Sequence, residues 1–132
     1  MQQITTFLMF SGNAEEAMNF YISLFENSSI TSINRYNAGE MGKEGSIKLA
    51  SFNLNGQEFM CIDSIVKHDF TFTPAMSIYV NFNKESDIDH VYSELIKGGH
   101  VLMPLDVYPF SEKYVWCADK FGVSWQLNLK KG

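Results

Sequence analysis

The chain has 132 residues, with ten Lys and Arg against fifteen Asp and Glu, for a net charge of −5. That length is one domain's worth, enough to bury a core without staples, and the acidic balance argues against a nucleic-acid or anionic-membrane partner. No apolar run could span a bilayer, and the opening MQQITTF lacks the basic start and apolar stretch of a signal peptide, so the expectation is a cytoplasmic protein. Cys61 and Cys117 each sit in an apolar run and read as reduced core thiols. Eleven Phe, six Tyr and two Trp suit strands and an aromatic-lined cavity.

Ile4–Phe10 (ITTFLMF) predicts a strand that ends at the turn Ser11-Gly12. Asn13 is placed as an N-cap, with Glu16 at capping-box spacing. Ala17, Phe20, Tyr21, Leu24 and Phe25 then recur at helical intervals. Three strand-like runs follow, about Ile30–Tyr36, Ser46–Leu54 and Glu58–Asp63. A Gly-rich hairpin, Asn37–Gly45, separates the first two, and Asn55-Gly56, a strong hairpin signal, separates the last two. A linker at about 64–75 carries Pro74.

The second half repeats this grammar. Ser77–Phe82 (SIYVNF) alternates as a strand, Ser86 and Asp89 stand at capping spacing, and Ile88, Val91, Tyr92, Leu95 and Ile96 form a helical stripe closed by Gly98-Gly99. Strands are expected at about His100–Leu105, Tyr114–Ala118 and Val123–Leu129. A shift of 71 superposes the two apolar stripes (Ala17 on Ile88), and a shift of 66 superposes the turn glycines Gly56 and Gly122. The fold class is therefore α+β: two β-α-β-β-β modules, about 1–63 and 76–132, in a single domain spanning 1–132.

Two such modules resemble the vicinal-oxygen-chelate superfamily, which includes glyoxalase I, extradiol dioxygenases and antibiotic-resistance proteins. The stretches GNAEEAMNFYISLF, GKEGSIKLASFNLNGQEFM and DKFGVSWQLNL resemble its PhnB-like branch in particular, often labelled 3-demethylubiquinone methyltransferase-like. The resemblance implies mixed sheets curved into a cup, with the helices outside and the site within. It also implies modules that pair within or between chains, so a homodimer is expected.

In the superfamily's metal enzymes, ligands stand on the first and last strand of each module, typically His or Gln and then Glu. Carried onto this sequence, those positions are Thr6 and Met60, then Ser77 and Gln126. Two hydroxyls, a thioether and an amide make a poor set for a dication, which takes imidazole, thiolate or carboxylate donors, so no metal and no cofactor are expected. His68, His90 and His100 read as surface residues. The scattered acids Asp63, Asp106 and Glu112 read as solvated, and Arg35 and Lys48 as edge-strand charges. The methyltransferase label finds no support in the residues, because Gly12 stands alone where an S-adenosylmethionine site needs a glycine-rich turn. No catalytic residue can be assigned.

The expected function is small-molecule binding in an apolar, aromatic cup. Strand parity places Thr6, Leu8 and Phe10 on one face, as it does Ser77, Tyr79 and Asn81. Leu8, Phe10, Met60, Tyr79 and Trp116 would give contact area, while Thr6, Tyr36, Ser77 and Gln126 would orient an unidentified small molecule. The alternative is a metal-dependent lyase or isomerase of the glyoxalase type with non-standard ligands.

Overall fold

The β-branched and aromatic runs become strands and the helical stripes become helices in a computed structural model that describes residues 2–130. The chain divides into two units, Met1–His68 and Asp69–Gly132. The first contains β1 (Thr6–Phe10), α1 (Ala14–Leu24), β2 (Ser29–Arg35), β3 (Ile47–Leu54) and β4 (Gln57–Asp63). Its four-stranded sheet has the order β1-β4-β3-β2, with β1 parallel to β4 and the other pairs antiparallel. The second contains β5 (Ile78–Phe82), α2 (Glu85–Leu95), β6 (His100–Tyr108), β7 (Ser111–Ala118) and β8 (Ser124–Leu129), in the corresponding order β5-β8-β7-β6. Each unit is thus a β-α-β-β-β module, and the fold is α+β. No helix among the described residues is long and apolar enough to cross a membrane.

In the first unit Ala14, Ala17, Met18, Tyr21 and Leu24 are the buried side of α1. Opposite them Ile47, Ala50, Phe52, Phe59 and Cys61 are at most 3% exposed, and the rings of Phe52 and Phe59 stack at 5.4 Å. Removing rings of this size from water contributes about 2–3 kcal/mol each before entropy is counted. Met18 carries more of this core than the helical stripe suggested, whereas Phe20 at the margin is half-buried. In the second unit Ile88, Val91 and Leu95 form the buried side of α2, and Tyr92 is half-buried. They face a sheet whose Val115, Cys117, Trp125 and Leu127 are fully buried.

The Asn55-Gly56 turn forms as expected: both residues have positive φ (49° and 94°), as a two-residue hairpin of right-handed strands requires. The expected caps do not form. Asn13 makes no side-chain cap bond, and α2 begins at Glu85 with Lys84 at its N-cap, so Ser86 lies inside the helix. At α1 the cap is supplied from β4. The carboxylate of Asp63 accepts the N–H groups of Gly12 at 2.8 Å and Ala14 at 2.9 Å, and its other oxygen accepts that of Ile47 at 2.9 Å. Asp63 is 5% exposed, so its reading as a solvated acid is corrected. A buried carboxylate is tolerable here because three N–H donors and a helix N-terminus meet it.

This bond also fixes which face of the first sheet is the core. Asp63 points toward the start of α1, and Phe10 is its register partner on β1. Phe10 and Leu8, 3% and 7% exposed, therefore lie under the helix, and Thr6 shares their side. Met60 pairs with Phe7 and faces the other way. The expectation that Thr6, Leu8 and Phe10 share a face with Met60 is thus overturned. The cause is a single residue. The helices are related by a shift of 71 (Ala14 to Glu85), but the preceding strands are related by 72 (Phe10 to Phe82). Three residues connect β1 to α1 and only two connect β5 to α2. A helix-based count therefore slips the strand by one position, and one position inverts every side chain. The counterpart of Ser77 is Thr5, and that of Tyr79 is Phe7.

Candidate functional site

In the second unit, Gln126 is flanked across the sheet by Tyr79 on β5 and Trp116 on β7, its register partners. All three face away from Trp125 and Leu127 and hence away from α2. This face carries a continuous chain of neutral hydrogen bonds. Tyr114 donates its O–H to Gln126 Oε1 at 2.5 Å, and Gln126 Nε2 donates to Ser77 Oγ at 3.2 Å. Ser77 and Ser124 share a bond of 2.7 Å between their hydroxyls, and the Trp116 indole N–H donates to Ser124 Oγ at 2.9 Å. Farther along, Asn128 donates to Asn81 at 3.0 Å and accepts from Ser111.

Burial grades the chain. Ser124 and Tyr114 are 2% and 4% exposed, Ser77, Trp116 and Gln126 are half-buried, and Tyr79 is half exposed. Tyr114 is covered by the β6–β7 hairpin, whose Tyr108 and Phe110 rings meet its ring edge-on at 5.5 and 4.9 Å. Burial, followed by the neighbouring Tyr79 and Tyr108 phenols, pushes the Tyr114 hydroxyl above its usual value, so it stays a donor. A depression of about 430 Å³ lies beside this hairpin and reaches Ser111 and Asn128.

The structure therefore brings Ser77, Tyr79, Trp116 and Gln126 onto one face. It adds Tyr114 and Ser124, which sequence reasoning missed. Both were visible as same-parity neighbours of Trp116 and Gln126 in their strands. In the first unit the face turned from α1 carries Phe7 (51% exposed), Met9, Met60 and Ile62. Met60 thus lies on the opposite side of the sheet from Thr6, Leu8 and Phe10. Tyr36 lies just past β2 and is used locally. Its ring packs where a side chain at Gly42 would collide, and Lys48 Nζ stands 5.9 Å from the ring centre. Arg35 is on the edge strand β2, as expected, and grips Glu15 through two bonds of 2.5 and 2.7 Å, whereas Lys48 lies on the interior strand β3, against its reading as an edge charge, and also pairs with Glu40 at 2.6 Å.

The side chains do not suit a divalent metal. Gln126 is the only amide at a ligand position, and its oxygen already accepts the Tyr114 hydroxyl. Among the described residues no three His, Cys, Asp or Glu side chains cluster. S-adenosylmethionine fits no better, since the Gly12 and Ala14 N–H groups at the first strand-to-helix turn are held by Asp63.

A β-α-β-β-β module occurs twice in the chain, and in the second copy Ser77, just before the first strand, meets Gln126 on the last. The chain belongs to the family described as 3-demethylubiquinone-9 3-methyltransferase, whose family model matches residues 2–128. A solved PhnB protein from Bacillus cereus is 62% identical, covers 98% of this chain and 100% of its own, and superposes with a TM-score of 0.96. Protein PA1353 from Pseudomonas aeruginosa is 22% identical over the whole of both chains, with a TM-score of 0.86. The fosfomycin resistance protein FosX from Listeria monocytogenes shares the fold at 12% identity and a TM-score of 0.63, covering 99% of this chain and 94% of its own. No curated protein matches the chain.

Proposed function

We propose that this is a small-molecule binding protein of the PhnB-like type, and that its ligand lies on the face of β5, β7 and β8 that α2 leaves uncovered. The observation that supports this is the neutral chain from Tyr114 through Gln126 and Ser77 to Trp116, set beside a half-exposed Tyr79. A few fixed polar groups among aromatic rings are the usual make-up of an organic ligand site. Ser77 and Gln126 orient the ligand, held in place by Tyr114 and Ser124, while Tyr79 and Trp116 give contact area.

The alternative, a metal-dependent lyase or isomerase of the glyoxalase type, has the donor chemistry of these side chains against it. The protein also pairs as a homodimer in this reading, because Phe7 and Tyr79 are about half exposed on strands at the edges of their sheets. The test is a screen of aromatic fragments against 15N-labelled protein, reading the indole N–H signals of Trp116 and Trp125. Fragments should move the Trp116 signal and leave that of the fully buried Trp125 unmoved. Fragments that perturb only other regions would contradict the assignment.

A further inference from the structure

We propose that the ligand presents an uncharged carbonyl-type oxygen on an apolar or aromatic body, and that adjacent N–H and O–H groups of Gln126 and Ser77 receive it. The inference rests on the binding reading above and names the ligand's chemistry. It follows from counting protons. The chain of Tyr114, Gln126, Ser77, Ser124 and Trp116 holds six donor protons: three hydroxyls, two on the amide and one on the indole. Four bonds join these five side chains, and each uses one proton whichever partner donates. Two protons are therefore left without an acceptor in the chain.

Burial says where they are. Tyr114 and Trp116 direct theirs to Gln126 and Ser124. Ser124, 2% exposed, has Ser77 as its acceptor. Ser77 Oγ then accepts from both Ser124 and Gln126 Nε2. What remains is the second N–H of Gln126 and the O–H of Ser77, on half-buried atoms 3.2 Å apart. One ligand oxygen with two lone pairs can accept both bonds.

The charge of that oxygen follows from what surrounds it. Among the described residues no lysine or arginine bonds to these five side chains, and Lys113 of β7 is engaged with Glu85 at 2.9 Å and Asp89 at 2.6 Å. With a net charge of −5 overall, an anion would be desolvated here without a counter-charge. A neutral acceptor carries no such penalty. Tyr79 and Trp116, flanking Gln126 in register, supply the rings for its apolar body.

The experiment titrates the full-length protein, by NMR, with four probes built on one ring: N,N-dimethylbenzamide, ethylbenzene, benzoate and benzylammonium. The amide, which accepts but cannot donate, should bind about five- to tenfold more tightly than ethylbenzene, the value of one net hydrogen bond or slightly more. It should shift the side-chain amide protons of Gln126. Ser77→Ala, checked for folding by its amide spectrum, removes one of the two donors and should weaken binding of the amide more than that of ethylbenzene. Equal binding of the amide and ethylbenzene in the wild type would overturn the donor pair while leaving an apolar binding face. Tightest binding of benzoate or benzylammonium would overturn the neutral acceptor. Failure of all four to bind would overturn the proposal together with the binding reading.

Discussion

Asp63 at the end of β4 holds the N–H of Ala14, 49 residues earlier, at 2.9 Å, so one buried carboxylate joins the last strand of its module to the first turn of the helix. The same carboxylate holds Ile47 at the start of β3. Asp63→Asn keeps the shape but gives one oxygen's place to an NH₂ group, which repels a backbone donor. It should cost about 2–4 kcal/mol in urea denaturation, and Asp63→Ala at least as much. An Asp63→Asn protein as stable as wild type would show that the bonds do not hold the module together.

The inverted face of β1 has its own test. Leu8→Ala should cost about 2–4 kcal/mol and Phe10→Ala about 3–5 kcal/mol, because both side chains leave cavities under α1. Phe7→Ala, at a position 51% exposed, should cost under about 1 kcal/mol. Denaturation midpoints in the reverse order would restore the parity expected from the sequence.

Both helices, the Asn55-Gly56 turn and the repeat were legible because periodicity and turn chemistry are local signals. The face of β1 was not, since it depends on one additional residue between β1 and α1 that no apolar pattern records. Asp63 was misread for a related reason: an acid looks solvated until the fold brings three distant N–H groups to it. At β8 the alternation placed Gln126 correctly. Strand parity put Tyr114 and Ser124 on the same side, but their bonds to Gln126, Ser77 and Trp116 emerged only with the β7–β8 register, which pairs Trp116 with Gln126 and Ala118 with Ser124.

Gln126→Leu tests the hydrogen-bonded chain itself. It would leave the hydroxyl of Tyr114, a residue 4% exposed, without an acceptor, and should cost about 1–3 kcal/mol. Adding Tyr114→Phe should recover part of that loss, since both unpaired groups are then gone. Two additive losses in a double-mutant cycle would contradict the coupling.

The two cysteines should be inert in the native state. Burial, with the nearby Asp63 and Asp119 charges adding to it, pushes the Cys61 thiol up to about 12 and that of Cys117 up to about 11. The unfolded thiols ionise near 8.5. Folded values above unfolded ones mean that this contribution to stability is complete below about pH 8.5 and is lost as pH rises toward 11 and 12. Iodoacetamide at pH 8 should therefore modify native protein at least about a hundredfold more slowly than protein in urea. Comparable rates would show that the thiols are accessible.

The Glu15–Arg35 pair gives an acid-side expectation. The Arg35 guanidinium holds the Glu15 carboxyl below its usual value. A lowered folded value means that the pair's contribution is present above the unfolded carboxyl value and is lost as pH falls through the folded one. Glu15→Gln should therefore narrow the stability difference between pH 6 and pH 3 relative to wild type. The effect will be small, because both side chains are 42% exposed. An unchanged difference would remove the pair from the acid response.

The central claim is that the face around Gln126 serves an organic ligand and that its side chains are unsuited to a dication. The most direct measurement is the melting temperature of the wild-type protein, prepared free of metal, with zinc, nickel, manganese or N,N-dimethylbenzamide added in increasing amounts. The amide should raise it with concentration, as a ligand of the native state must, and none of the metals should raise it appreciably. A clear metal-dependent rise that Gln126→Leu abolishes would contradict the claim and favour the metal-dependent reading instead.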